Sequence, residues 1–318
     1  MKIKASIFII CILLVLVTIN SCTERELFDN NFILPSVSGL YTEISGTVSG
    51  KLTKEKSPYL ITKDLIVESG DSLIIEPGVV LFFNERCKFL IKGYIKAEGT
   101  RTQRIYFTSY KGSWNGLSFN SSVDGSKLKF CIIEEVNKIE ESTLEKSGLD
   151  FVNAYCQIQN TIFRKNSNDY SHFISCTNSS ILISNCILTD NTAKNFVINA
   201  INSRIRLINN VFYNNQSREE QPIIFVKRSL NTEIQNNIFY KNKSKEEIKT
   251  SESDTNKIII DYNFFGSNSN DPQFWNYENF RLYYTSPCID AGNPSPEFND
   301  LNGTRNDQGA YGGPNGNW

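Results

Sequence analysis

The chain has 318 residues, of which 40% are hydrophobic, with 33 Lys and Arg set against 34 Asp and Glu. That much apolar material sustains one large core or two modest ones and excludes a disordered tail. A charge so near zero, with no basic stripe, gives no footing to a nucleic-acid partner. At the N-terminus, Lys2 and Lys4 precede an apolar run from Ile7 to Ile19, about the length of a signal h-region and short for a spanning helix. No later stretch is long and apolar enough to span a bilayer. The polar residues that follow, around Thr23 to Asn31, read as a tether.

Ile19-Asn20-Ser21-Cys22 resembles a bacterial lipobox, although Asn20 is unusual in one. The resemblance implies a signal peptide over residues 1–21, cleavage before Cys22, lipidation of Cys22 and a tether over residues 22–40. The body would then stand in the bacterial cell envelope, held to a membrane by its lipid anchor. Thr23, where an Asp would signal retention, leans toward the outer membrane or cell surface. The alternative is an uncleaved N-terminal anchor.

Five segments fall into register: "IQNTIFRKN" from Ile158, "ISNCILTDN" from Ile183, "LINNVFYNN" from Leu207, "IQNNIFYKN" from Ile234 and "IDYNFFGSN" from Ile260. One column reads Ile158, Ile183, Leu207, Ile234, Ile260; another reads Phe163, Leu188, Phe212, Phe239, Phe265. Asparagines form the columns Asn160, Asn185, Asn209, Asn236 and Asn166, Asn191, Asn215, Asn242, Asn268, and a further one reads Asn153, Asn178, Asn202, Ser229. Alternation such as Arg204, Ile205, Arg206, Leu207 has the period of a strand, so each repeat reads as several short strands with turns between. Asn tolerates left-handed corners, and its amide can donate to the Asn of the next coil at the strand spacing of about 4.8 Å. The column Asn160, Asn185, Asn209, Asn236 is accordingly expected to form a structural ladder.

Coils of this length with aliphatic and Asn columns resemble the right-handed parallel β-helix, the pectate-lyase-like architecture. The N-terminal half carries similar elements: the turn Glu76-Pro77-Gly78, the run Gly93, Ala97, Gly99, Thr100, and the pair Trp114, Gly116. "SPCIDAGNP" from Ser286 and "NDLNGTRNDQGAYGG" from Asn299 resemble the closing segment of bacterial β-helix repeat proteins. The implied organisation is all-β, with about eight to ten coils over residues 41–270 and a C-terminal capping segment over 271–318.

Such folds carry many functions, so function rests on a site. Beyond the signal and lipobox, six cysteines remain. Cys131 and Cys186 share a column with Thr161 between them, too far apart for a disulfide, and Cys156 and Cys176 read as small core fillers. His172, the sole histidine, reads as a strand-face residue. By resemblance to calcium-dependent members, a polysaccharide lyase would need carboxylates on adjacent coils. The outward columns Gln157, Leu182, Arg206, Glu233, Ile259 and Gln159, Ser184, Ile208, Gln235, Asp261 offer no such pair. Arg206 with Glu233 and Lys165 with Asp190 read as surface ion pairs. Glu76, Glu85, Asp124 and the loop acids Glu134, Glu135, Glu140 and Glu141 would support a lyase only by converging. Tyr213 and Tyr240, on adjacent coils, form a candidate sugar-stacking platform or a cross-strand aromatic pair. Asp300, Asn302 and Asp307, with Asn306 and Asp290 nearby, partly resemble a Ca²⁺ loop around Gly303 that lacks the closing glutamate; the alternative is a turn system that caps the last coil. The expectation is a surface lipoprotein that binds glycan or another macromolecule, a polysaccharide or a surface protein, without catalysis; the alternative is a polysaccharide lyase or related carbohydrate-active enzyme.

Overall fold

The computed structural model describes residues 34, 39–122, 125–137, 147–169, 171–229, 231–252 and 258–316. The signal segment, Cys22 and most of the tether lie outside the described residues. The body is all-β and 2% helical, a right-handed parallel β-helix of about eight turns with coils of about 25 residues. One face is a nine-stranded parallel sheet running from Gly50–Leu52 to Ile258–Asp261. The other two faces join into one 17-stranded sheet because the strand Tyr59–Val67 serves both. Its first half pairs with Val80–Phe83 and its second with Phe89–Ile91.

The expected columns are the observed register. Ile158 pairs with Ile183, Ile183 with Leu207, Leu207 with Ile234, and Ile234 with Ile260. Alternation puts the first four of these side chains inside, where burial removes them from water at roughly 25 cal/mol per Å². Aromatic rings stack along the same axis: Phe212 on Phe239 at 4.7 Å between centroids, and Phe239 on Phe265 at 5.3 Å. Phe83 stacks on Trp114 at 4.1 Å. Cys87, Cys131, Cys156, Cys176, Cys186 and Cys288 are all free thiols and all buried.

The corners explain the asparagines, with one correction. Asn160, Asn185, Asn209 and Asn236 take left-handed backbone, with φ of 47°, 53°, 54° and 58°. Their amides do not form the expected coil-to-coil ladder; the one contact within the column, Asn236 Nδ2 to Asn209 Oδ1, is long at 3.5 Å. The amide ladders are two neighbouring columns. Asn166 donates to Asn191, Asn191 to Asn215 and Asn215 to Asn242, Nδ2 to Oδ1, at 2.8, 2.9 and 3.1 Å. Asn210 donates to Asn237 and Asn237 to Asn263, both at 2.9 Å. Each Oδ1 also accepts the backbone N–H of the coil before it, as Asn215 Oδ1 does from Asn191. A third ladder uses serine: the N–H groups of Ser179 and Ser203 donate to the hydroxyls of Ser203 and Ser229. Ser229 therefore stands one place along from its expected column, and Arg228 (φ 48°) takes the corner opposite Asn202.

The closing segment also differs from expectation. Its tail does not cover the last coil, where Ile260 and Phe265 stay 39% and 48% exposed. It runs back along the flank as a strap, held by the first Asn column. Gln308 Nε2 donates to Tyr262 O at 2.7 Å and Gly309 N to Asn236 O at 2.7 Å. Asn209 Nδ2 donates to Asp307 O at 2.8 Å, Asn185 Nδ2 to Gly312 O at 2.8 Å, and Asn160 Nδ2 to Asn315 O at 3.0 Å. Beneath lies an outward apolar column, Ile132, Ile162, Ile187, Val211 and Ile238, packed with Ala310 and Tyr311. Gly309 is required there, because a Cβ would stand 2.7 Å from Ile238 Cδ1 at a φ of +92°.

Candidate aromatic binding surface

Six of the eleven residues 274–284, "FWNYENFRLYY", are aromatic. This stretch leaves the last coil and folds on itself: Phe274 bridges Leu282 in antiparallel fashion, and Trp275 N donates to Arg281 O at 2.6 Å. The turn then sorts the rings by burial. Phe274 and Phe280 turn inward and are buried, while Trp275, Tyr277 and Tyr284 are 51%, 42% and 76% exposed. Trp275 stacks on Tyr283 at 5.4 Å, and Tyr283 leans on Tyr284 at 4.5 Å.

Tyr213 and Tyr240 lie in register on adjacent coils, as the repeat requires. They do not make an open platform. Tyr240 is only 3% exposed and Tyr213 is half-buried, and their rings are tilted by 43° at 6.1 Å. Phe274, Tyr277 and Phe280 pack over them at 5.0 to 6.4 Å. Tyr240 Oη donates to Asp271 Oδ2 at 2.8 Å. Burial, and then this carboxylate, hold the phenol well above its ordinary pKa. The exposed rings are those of residues 275–284, which have no place in the repeat. Their density of aromatic residues outside any period was the signal available.

The remaining candidates are placed as follows. Arg206 pairs with Glu233, but Asp190 bonds Thr189 and Asn214 instead of Lys165. Glu76 is held by Lys51 and the N–H of Lys54. Glu134 pairs with Arg164 at 2.7 Å, and Glu135 accepts the hydroxyls of Thr108 and Ser109 at 3.0 and 2.7 Å. Glu85 borders a shallow groove with Lys63, Asp64 and Arg86. Asp124, Glu140 and Glu141 lie outside the described residues, and Glu76, Glu134 and Glu135 serve separate local partners. His172 stacks on Phe196 at 5.1 Å, and burial lowers its pKa to about 4.

Asp300, Asn302 and Asp307 come together in the strap, where their oxygens close turns. Asp300 accepts the N–H of Asp307 at 3.1 Å, Asp307 Oδ1 that of Asp290 at 2.7 Å, and Asn302 Oδ1 that of Thr304 at 3.0 Å. No group of three or more acidic, Cys or His residues is placed to hold a metal among the described residues. Burial, opposed by the bond from Asp290, raises Asp307 from 3.8 to about 6. A raised acid favours the folded state fully below its unfolded pKa and loses that contribution as pH rises through the folded one. Hydrogen exchange over residues 300–313 is therefore expected to be slower at pH 5 than at pH 7.5, after correction for intrinsic rates. Asp307→Asn should remove the difference; a dependence that survives it would show that other groups set it.

The fold defines a parallel β-helix protein with a concentrated aromatic surface in the segment after the last coil. No family model and no solved structure matches the chain. A stretch of 81 residues is 38% identical to part of Protein bark beetle from Drosophila melanogaster, covering 24% of this chain and 3% of that protein.

Proposed function

We propose that the chain is a membrane-anchored surface lipoprotein whose β-helix body binds glycan without catalysis, through the aromatic segment 274–284. The observation that carries this reading is the exposure of Trp275, Tyr277 and Tyr284 on a hairpin whose inner rings are fixed against Tyr213 and Tyr240. Exposed rings held by packing lose little entropy when a sugar face stacks on them. The anchor rests on Ile7 to Ile19 followed by Ser21-Cys22, and with it the placement in the bacterial envelope.

The test is a glycan screen on the protein without residues 1–22, reading binding and the ultraviolet absorbance of unsaturated products together. Binding without product, weakened about tenfold by Trp275→Ala or Tyr284→Ala, is the expected result. Absorbance that grows with a uronate polymer would replace this reading with a lyase.

A further inference from the structure

The rim of the aromatic surface holds a cation supplied by the chain itself. Lys241 follows Tyr240 at a left-handed corner, with φ of 56°, and its side chain turns over three phenol rings. Its Nζ stands 4.9 Å from the centroid of Tyr277, 5.0 Å from Tyr240 and 6.0 Å from Tyr213. All three distances lie within or at the range over which a ring face attracts an ammonium. Two carboxylates add negative charge around the rings: Asp271 accepts the Tyr240 hydroxyl, and Asp190, which bonds Asn214, lies within electrostatic reach of Tyr213. Arg281, the nearby cation on the hairpin, is turned away and sits over Tyr311 at 4.2 Å.

We infer that Tyr213, Tyr240 and Tyr277 form an ammonium site, filled in the free protein by Lys241, and that the glycan bound here carries unacetylated amino sugars. The inference rests on the glycan-binding reading and names the ligand class. The Lys241 ammonium and that of a 2-amino sugar are both primary ammonium groups, so one can take the place of the other on the same rings. Lys241 is exposed and tethered by a flexible chain, so it can swing out. Trp275 and Tyr277 are two residues apart on the same hairpin, so the sugar-stacking ring and the ammonium position belong to one segment. N-acetylation removes the charge and would remove this recognition.

The experiment is calorimetric titration with chitosan oligosaccharides, their fully N-acetylated counterparts and tetramethylammonium. The proteins are the unaltered chain without residues 1–22, Lys241→Gln, Lys165→Gln, Tyr277→Phe and Tyr277→Leu. Lys165 occupies the same corner on an earlier coil and is also exposed, so its variant makes the same charge change away from the rings. Unacetylated oligomers are expected to bind about tenfold more tightly than acetylated ones. Lys241→Gln should tighten that binding further and admit tetramethylammonium, and Lys165→Gln should do neither. Tyr277→Phe should keep the preference and Tyr277→Leu lose it. Equal binding of both oligomers, with Lys241→Gln inert, would overturn the ammonium site and leave glycan binding standing. Tetramethylammonium bound by Lys241→Gln with no oligomer bound by any variant would keep the site and overturn the glycan reading. No binding by any ligand would overturn both.

Discussion

Asn191→Ala is expected to destabilise the fold by about 3 kcal/mol, seen as a lowered urea midpoint with an unchanged slope. The Asn191 side chain has 0% exposure and works in both directions along the stack. Its Oδ1 accepts the N–H and the Nδ2 of Asn166, at 3.3 and 2.8 Å, and its Nδ2 donates to Phe163 O and Asn215 Oδ1, both at 2.9 Å. Alanine leaves these partners buried with no replacement, and each orphaned group costs about 1 to 3 kcal/mol before local relaxation. Asn191→Asp keeps the shape but cannot donate to Phe163 O or Asn215, and it buries a charge, so it should be no better. Asn160→Gly is the comparison: glycine keeps the left-handed corner at φ 47°, so the change removes the one amide bond to the strap and should cost about 1 kcal/mol. Equal costs at the two positions would refute the assignment of the ladder to the Asn166 column.

Gly312→Val is expected to release the strap. A Cβ at this position would lie 1.7 Å from Asp307 O and 2.7 Å from Asn209 Nδ2, and neither the backbone oxygen nor the bonded amide can move aside cheaply. Amide exchange over residues 306–313 should quicken by roughly a hundredfold, on the order of 3 kcal/mol of local opening energy. The strands Ile187–Thr189 and Val211–Tyr213 should keep their protection, since they pair with neighbouring coils. The uncovered Ile162, Ile187, Val211 and Ile238 should bind a hydrophobic dye. Unchanged exchange in the strap would mean that the variant is accommodated and that the glycine is dispensable.

The coil was legible in the sequence because a parallel stack repeats its constraints: each inward position meets the same neighbours above and below. Ile158, Ile183, Leu207, Ile234 and Ile260 could be aligned from residue type alone, and so could the Phe163 column. The Asn210–Asn237–Asn263 ladder lies one residue from the expected column because Asn209-Asn210 and Asn236-Asn237 are doublets. The first of each takes the corner and the second stacks, and only geometry tells the two apart. Ser229 slipped in the same way, where Arg228 accepts a left-handed backbone that Asn holds in other coils. The strap and the aromatic hairpin have no period, so nothing in the pattern told where residues 271–316 would lie. Tyr213 and Tyr240 were rightly paired, but what covers them comes from a part of the chain that the repeat does not describe.

The strap changes how the molecule comes apart under load. In a solenoid each rung touches only its neighbours, so the end rung can peel, then the next, each at its own small threshold. Here one ribbon of chain is fastened to rungs from Tyr262 back to Asn160. Peeling any of them pulls on all, and unzipping from that end becomes a single high-threshold event. A protein tethered at one end and gripped by a ligand near the other would be tensioned along this very axis.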